Sequence, residues 1–215
     1  MTPKYEKIFL LGPRGSGKST IAKILAKKIK WNYLEMDEKI QDFAKKSVED
    51  LTKNGQEWEE FRRLETGLIQ NLKNKKNFVV SCGGGVGVNS IFNQKYQKTY
   101  GKIQKEIINS YPKTLKILLL ASDRILGLRL TGMFNKKEVL HRPFLNANTS
   151  KNFGQNKQNN FSLQNSKELL IKAKVRDSME IYRQRKKKYL ELTNHVIWTD
   201  KQNQKQIVQK ILQLL

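Results

Sequence analysis

Apolar positions along the chain follow two spacings that take turns. Short apolar runs at Lys7-Ile-Phe-Leu-Leu11, Asn77-Phe-Val-Val-Ser81 and Thr114-Leu-Lys-Ile-Leu-Leu-Leu120 read as buried strands, since near-continuous apolar runs suit strands covered on both faces. Trp31-Asn-Tyr-Leu-Glu-Met-Asp37 alternates instead, which predicts a strand with Tyr33, Glu35 and Asp37 on one side. His195-Val-Ile-Trp198 reads as the last strand. Between these runs the spacing is helical. Thr20 to Lys28 carries Ile21, Ala22, Ile24 and Leu25; Gln56 to about Lys73 carries a stripe of Trp58, Phe61, Leu64, Leu68 and Leu72. Arg62, four residues after Trp58, lies at the edge of that stripe and is expected to point partly inward. Ser47-Val-Glu-Asp50 resembles a capping box that opens a short helix ending at Asn54-Gly55. Further helices are predicted around Ile103 to Asn109, from Ser122 through Ile125, Leu126, Leu128 and Arg129, from about Ser166 to Leu192, and from Gln202 to Leu215. Strands that alternate with helices predict an α/β fold, an open parallel sheet of about five strands with helices on both faces.

Three stretches break this pattern. Gly12-Pro-Arg-Gly-Ser-Gly-Lys18-Ser19 lies between the first strand and the first helix and fits Gly, four residues, Gly-Lys-Ser/Thr. Its glycines allow backbone N–H groups to turn inward around an anion, and the following helix N-terminus adds its positive end. Lys18 is expected to reach the β- and γ-phosphates of a nucleotide, and the Ser19 hydroxyl to ligate Mg²⁺. Gly15, Ser16, Gly17 and Thr20 complete the phosphate-binding set. Cys82-Gly83-Gly84-Gly85 follows the third strand, and three successive glycines let a backbone approach a ligand without obstruction. Gly132 to Asn165 is poor in apolar residues and rich in Asn, Lys, Gln and Ser, the composition of a mobile excursion, and it holds His141-Arg142-Pro143-Phe144.

Composition narrows the function. With 215 residues and 38% hydrophobic content, the expectation is one domain over 1–215 with an insertion at about 132–165. No run reaches the length of a membrane span, and the first residues lack the apolar core of a signal peptide, so a soluble, cytoplasmic protein is expected. Cys82 is alone, which excludes an intrachain disulfide. A net charge of +23 invites a nucleic-acid partner, but the lysines are spread along the whole chain beside abundant Asn and Gln. The expectation is therefore weak, salt-sensitive adsorption only.

In an open parallel sheet the ligand lies outside the carboxyl ends of the strands. The glycine loop, Glu35 with Asp37, Gly83 to Gly85, and the excursion with Arg142 all reach that edge. Together they offer what phosphoryl transfer to a small hydroxyl compound requires: Mg²⁺, a carboxylate to orient the acceptor, and cations for the transferring group. Arg62 and Arg185 suggest an acceptor with its own carboxylate, because guanidinium binds carboxylate at two points.

These residues resemble the shikimate kinase family. The glycine loop, Glu35-Met-Asp37, Phe61-Arg62-Arg63-Leu-Glu65, Cys82-Gly83-Gly84-Gly85, Arg142-Pro143-Phe144-Leu145 and Arg185 followed by Tyr189 stand in that family's order and approximate spacing. The resemblance implies a P-loop kinase fold with a mobile lid, ATP with Mg²⁺, and phosphorylation of the 3-hydroxyl of shikimate by a monomer. It implies that Asp37 holds the shikimate hydroxyls and orients or deprotonates the acceptor. Arg62, Arg185 and the backbone of Gly83, Gly84 and Gly85 would hold the ring and carboxylate, and Arg142 would come down over the phosphates. Glu35 stands where the family has Asp and would support Mg²⁺; Arg129 is the candidate adenine contact. The tyrosine motif has Lys188 where the family has Leu. A kinase for another small acceptor and a non-catalytic, basic nucleotide-binding module stay open as alternatives.

Overall fold

A computed structural model describes residues 4–135, 142–146, 148–149, 163–193 and 195–215, without the side chains of 163–166. Five parallel strands form one sheet: β1 (Lys7–Leu11), β2 (Asn32–Glu35), β3 (Phe78–Ser81), β6 (Thr114–Leu120) and β7 (Val196–Trp198), in the order β2-β3-β1-β6-β7. A small antiparallel pair, β4 (Phe92–Asn93) with β5 (Lys98–Thr99), stands apart. The helices are α1 (Lys18–Ile29), α2 (Met36–Ala44), α3 (Val48–Leu51), α4 (Glu59–Asn71), α5 (Tyr100–Ser110), α6 (Asp123–Phe134), α7 (Leu163–Leu190) and α8 (Gln204–Leu212).

Strand alternation divides the core between the two faces of the sheet. Ile8 and Leu10 of β1 pack with Ile21 and Leu25 of α1 and Ile207 and Ile211 of α8. Phe9 and Leu11 belong to the opposite layer, with Ile69 of α4, Leu126 and Leu130 of α6, and Met179 and Tyr182 of α7. Since β1 is covered on both sides it reads as an unbroken apolar run, and it lies mid-sheet as such runs do. A third small cluster joins Ile40, Leu51 and Phe61 under α2, α3 and α4. The predicted α/β class, the five-stranded parallel sheet and the helices on both faces are all observed.

Three features differ from expectation. The second strand ends at Glu35, and Asp37 lies in the first turn of α2 rather than on the strand. Asp37 and Glu38 favour that helix start because carboxylates complement its positive end. Asp37 therefore reaches the sheet edge from a helix, not by strand alternation. Between Val86 and Pro112 the chain forms the β4–β5 pair before α5, which the sequence pattern did not announce. Helix α6 continues through Gly132 to Phe134, because Phe134 is fully buried and extends the apolar face of that helix into the expected excursion. Most of the polar insertion, including 150–162 and His141, lies outside the described residues. No described helix is long and apolar enough to cross a membrane.

Candidate active site

The carboxyl ends of the strands open on a cleft of about 720 Å³ that collects Lys18, Asp37, Arg62, Gly83 to Gly85, Arg142 and Arg185. Its floor is the loop after β1. Gly15 and Gly17 take φ of 81° and 96°, the left-handed region in which glycine is unstrained. Gly17 caps α1 without any side-chain hydrogen bond, so the first amides of α1 stay available to an anion. Lys18 is buried, and its ammonium donates to the Pro13 carbonyl at 2.8 Å. Burial pushes its pKa down to about 8, against the pull of Glu35 and Asp37. Beside it, the Ser81 hydroxyl donates to Ser19 Oγ at 3.4 Å, and the Tyr33 hydroxyl donates to Glu35 Oε2 at 2.8 Å. Burial raises the pKa of Glu35, while hydrogen bonds from the Ser19 and Tyr33 hydroxyls oppose that rise.

The opposite wall is built around Arg62, which is only 3% exposed. One turn of α4 brings Glu65 beneath it, and Arg62 Nη1 donates to Glu65 Oε2 at 2.7 Å. The guanidinium is flanked by the rings of Trp58 and Phe61, 4.8 and 5.1 Å from their centroids. Its remaining surface lies on the backbone of Gly85, where an added Cβ would come within 2.5 Å of Nη2. At Gly83 the same atom would meet Glu65 Oε1 at 2.5 Å and Asp37 Oδ1 at 2.9 Å. The glycine run is thus a close-approach surface for two acids and one arginine. Arg62 Nε and Glu65 Oε1 are buried without hydrogen-bond partners among the described residues.

Two further parts close the cleft. Tyr189 of α7 donates its hydroxyl to the Gly84 carbonyl and accepts a hydrogen bond from Arg185, whose pKa burial lowers. Facing them, the segment from Arg142 to Asn146 is tied down along its backbone. Arg14 Nη1 donates to the Pro143 carbonyl at 3.2 Å, Lys174 donates to the Arg142 carbonyl, and Asp177 accepts from the amides of Leu145 at 2.6 Å and Asn146 at 3.0 Å. Burial pushes the Arg14 pKa down to about 10, and the neighbouring Arg142 cation adds to this. Arg129 borders both this cleft and an adjoining one of about 650 Å³ that is also lined by Gly15, Gly17, Thr20 and Gln202. There its guanidinium donates to Thr199 Oγ1 and to the Thr199 carbonyl, each at 2.7 Å.

The family model for shikimate kinase matches residues 14–215 of this sequence. The chain belongs to the shikimate kinase family. It is 28% identical over 190 residues to shikimate kinase 2 of Photorhabdus laumondii, covering 88% of this chain and 84% of that protein. Shikimate kinase of Clostridium botulinum is 30% identical over 150 residues, covering 66% and 89% respectively. Among solved structures, a shikimate kinase from Acinetobacter baumannii in complex with shikimate superposes with a TM-score of 0.65 at 22% identity, over 99% of this chain and 96% of that one. The Bacteroides thetaiotaomicron shikimate kinase gives 0.62 at 22% identity over 97% of each chain. These two structures speak for the fold, a P-loop kinase fold.

Within this member of the family, Lys18, Ser19, Glu35, Asp37, Arg62, Gly83, Gly84, Gly85, Arg129, Arg142 and Arg185 all border one cleft. Gly12 does not line it: with φ of 137° it lies against the Leu119 carbonyl, and its part is to turn the loop past β6. Ser16 lines the adjoining cleft, its hydroxyl buried without a partner among the described residues. Arg183, the neighbour that competes with Arg185, faces away and pairs with Asp123 at 2.9 Å. Cys82 is buried, and burial pushes its thiol pKa well up, which suits a packing role. Sequence reasoning missed Arg14, Lys174 and Asp177. The last two stand one helical turn apart on α7, and that i,i+3 spacing was the only signal for their shared target.

Proposed function

We propose that this chain transfers the γ-phosphoryl group of ATP to the 3-hydroxyl of shikimate. The observation that carries this reading is Arg62: a buried guanidinium, fixed by Glu65 and Gly85, facing the same cleft as the phosphate loop. Guanidinium at a fixed angle selects a carboxylate at two points, which suits an acid acceptor over a neutral sugar. Arg185, held by Tyr189, would be the second grip on the ring or its carboxylate. Asp37 would accept the proton of the acceptor hydroxyl and orient it toward the phosphorus. The α1 amides and Lys18 would hold the β- and γ-phosphates, and Arg142 would meet charge that grows on the transferring group. Arg129 and the adjoining cleft would border the base.

Two oxygen donors that line the cleft suit Mg²⁺, the Ser19 hydroxyl and the Glu35 carboxylate, and these residues would hold it. Held there, the ion would supply positive charge against the phosphates of the nucleotide. Glu35 is one methylene longer than Asp, and hydrogen bonds from Tyr33 and Ser19 hold it at this edge. A monomeric, cytoplasmic enzyme of one domain, without a nucleic-acid partner, completes the reading. The test is ADP release coupled to a reporter, with ATP and Mg²⁺, in the presence and absence of shikimate. Release that depends on shikimate is expected; release that is equal without it, or that follows gluconate or a nucleoside monophosphate instead, would overturn the acceptor.

A further inference from the structure

Beneath the Arg62 wall, and outside the cleft lining, lies a fully buried amide, Gln104 of α5. Its NH₂ group donates to Glu65 Oε2 at 2.9 Å and to Thr66 Oγ1 at 3.1 Å. Its carbonyl accepts from the Gly87 amide at 3.2 Å and from Asn89 Nδ2 at 3.1 Å. All four hydrogen-bonding positions of the side chain are thus filled. The orientation is forced, because the Gly87 amide can only donate and an ionised Glu65 can only accept; a turned amide would set oxygen against oxygen and N–H against N–H.

What Gln104 joins is the pair of surfaces that fix Arg62. On one side, Glu65 Oε2 receives both Arg62 and Gln104, and Thr66, which accepts from Gln104, donates to the Arg62 carbonyl at 2.7 Å. On the other, Asn89 Nδ2 donates to the Gly85 carbonyl at 3.0 Å, and Gly85 is the backbone on which the guanidinium lies. Helix α5 comes near enough for this because Gly101, one turn earlier, meets the Asn89 carbonyl where a Cβ would be 2.4 Å away. Burial, and to a lesser degree the Asp37 carboxylate, raise the pKa of Glu65; the Arg62 cation and the Gln104 donor work against this and favour the ionised acid that Arg62 needs.

We infer that Gln104 is a positioning residue for acceptor recognition, acting through Glu65 and the turn from Gly85 to Asn89 to hold Arg62 at the angle that grips the acceptor carboxylate. This rests on the reading of Arg62 given above. Gln104→Met keeps the volume and removes every hydrogen bond, so shikimate KM should rise about tenfold while the ATP KM stays within about twofold. A residue with a merely structural part would lower the melting temperature and leave the ratio of the two KM values in place. Gln104→Asn, one methylene short of Glu65, carries the same expectation if the Met variant does not fold. In a Glu65→Gln background the further change at Gln104 should add less than about twofold; fully additive losses would overturn the inference, as would an unchanged shikimate KM in a folded Gln104 variant. Arg62→Lys is measured alongside. If it leaves shikimate KM unmoved, the reading of Arg62 is what fails, and if it raises that KM while the Gln104 variants do not, only the role of Gln104 falls.

Discussion

Arg62 and Arg142 face one cleft and are held in opposite ways. Arg62 has its head fixed: the guanidinium is buried, ion-paired to Glu65, flanked by two rings and laid on a glycine backbone. Arg142 has its root fixed: Lys174, Arg14 and Asp177 bind the backbone of residues 142–146, while the arginine itself is exposed. No hydrogen bond or ion pair of its guanidinium is found among the described residues. The difference suits the two roles proposed above for these arginines. A group that binds the acceptor in every state gains from a geometry set in advance, because no ordering cost falls on the binding step. A group that meets charge developing on a transferring phosphoryl acts only when that charge forms, and a tethered, solvated head can reach it then.

Lys18 gives the largest way to break this picture, since it belongs to neither class. It is buried, yet its described hydrogen-bond partner is a carbonyl and not a carboxylate. The counter-charge is expected from the nucleotide. Lys18→Ala should cost about 10³-fold in kcat/KM, or about 4 kcal/mol of transition-state stabilisation, with the folded circular dichroism spectrum retained. Activity near the parent level would remove the nucleotide from this loop.

The second prediction separates the two arginines directly. Arg142→Ala should lower kcat about 10²-fold and leave shikimate binding nearly in place, the signature of a group used in the transition state. Asp177→Ala should move kcat in the same direction by a smaller factor, because the root loosens while the cation remains. Single-turnover kinetics beside separate ligand titrations would check both. A matching rise in the shikimate dissociation constant would make Arg142 a second Arg62 and erase the contrast.

Arg62→Lys tests the other member. Lysine keeps the charge and loses the planar two-point grip, so shikimate binding should weaken by about 1.5 to 3 kcal/mol with ATP binding almost unchanged. Titration of each ligand separately measures it. Equal weakening of both would mean general damage to α4.

The same contrast explains what the chain disclosed in its sequence. Arg62 was legible because local geometry fixes it: four residues from Trp58 and three from Glu65, on a helix whose apolar stripe announces which side faces in. The phosphate loop was legible for the same reason, as were β1 and β6. Asp37 was found for its chemistry but placed on the wrong element, because alternation runs on through Met36 while the backbone has already turned into α2. Gln104, Arg14 and Asp177 were not legible. Each acts across a distance in sequence, Gln104 on Glu65, Arg14 on Pro143 and Asp177 on Leu145, and periodicity can place such a residue on a helix face but does not name its distant partner. The expected lid falls largely outside the described residues.

The smallest predicted effect concerns how buried cations are kept charged. Burial takes the Lys18 pKa from 10.5 to about 8, where Glu35 and Asp37 only partly offset it. The sign follows from which state keeps the proton. Between about pH 8 and 10.5 the unfolded chain holds this proton and the folded, ligand-free protein does not, so this group makes the fold more stable as pH rises through that window. Nucleotide binding should respond the other way. Phosphates need the ammonium, and with a pKa of about 8 its charged fraction in the free protein falls about tenfold between pH 7 and 9. The ATP KM should therefore rise about tenfold over that range, while kcat stays nearly level because bound phosphates restore the charge. In Lys18→Met the pH-dependent gain in stability should vanish relative to the parent, as read by thermal melts of both proteins across the same range. An ATP KM that stays flat to pH 9 would mean that Lys18 keeps its proton without the nucleotide, and that its counter-charge, like that of Arg62, is already built into the protein.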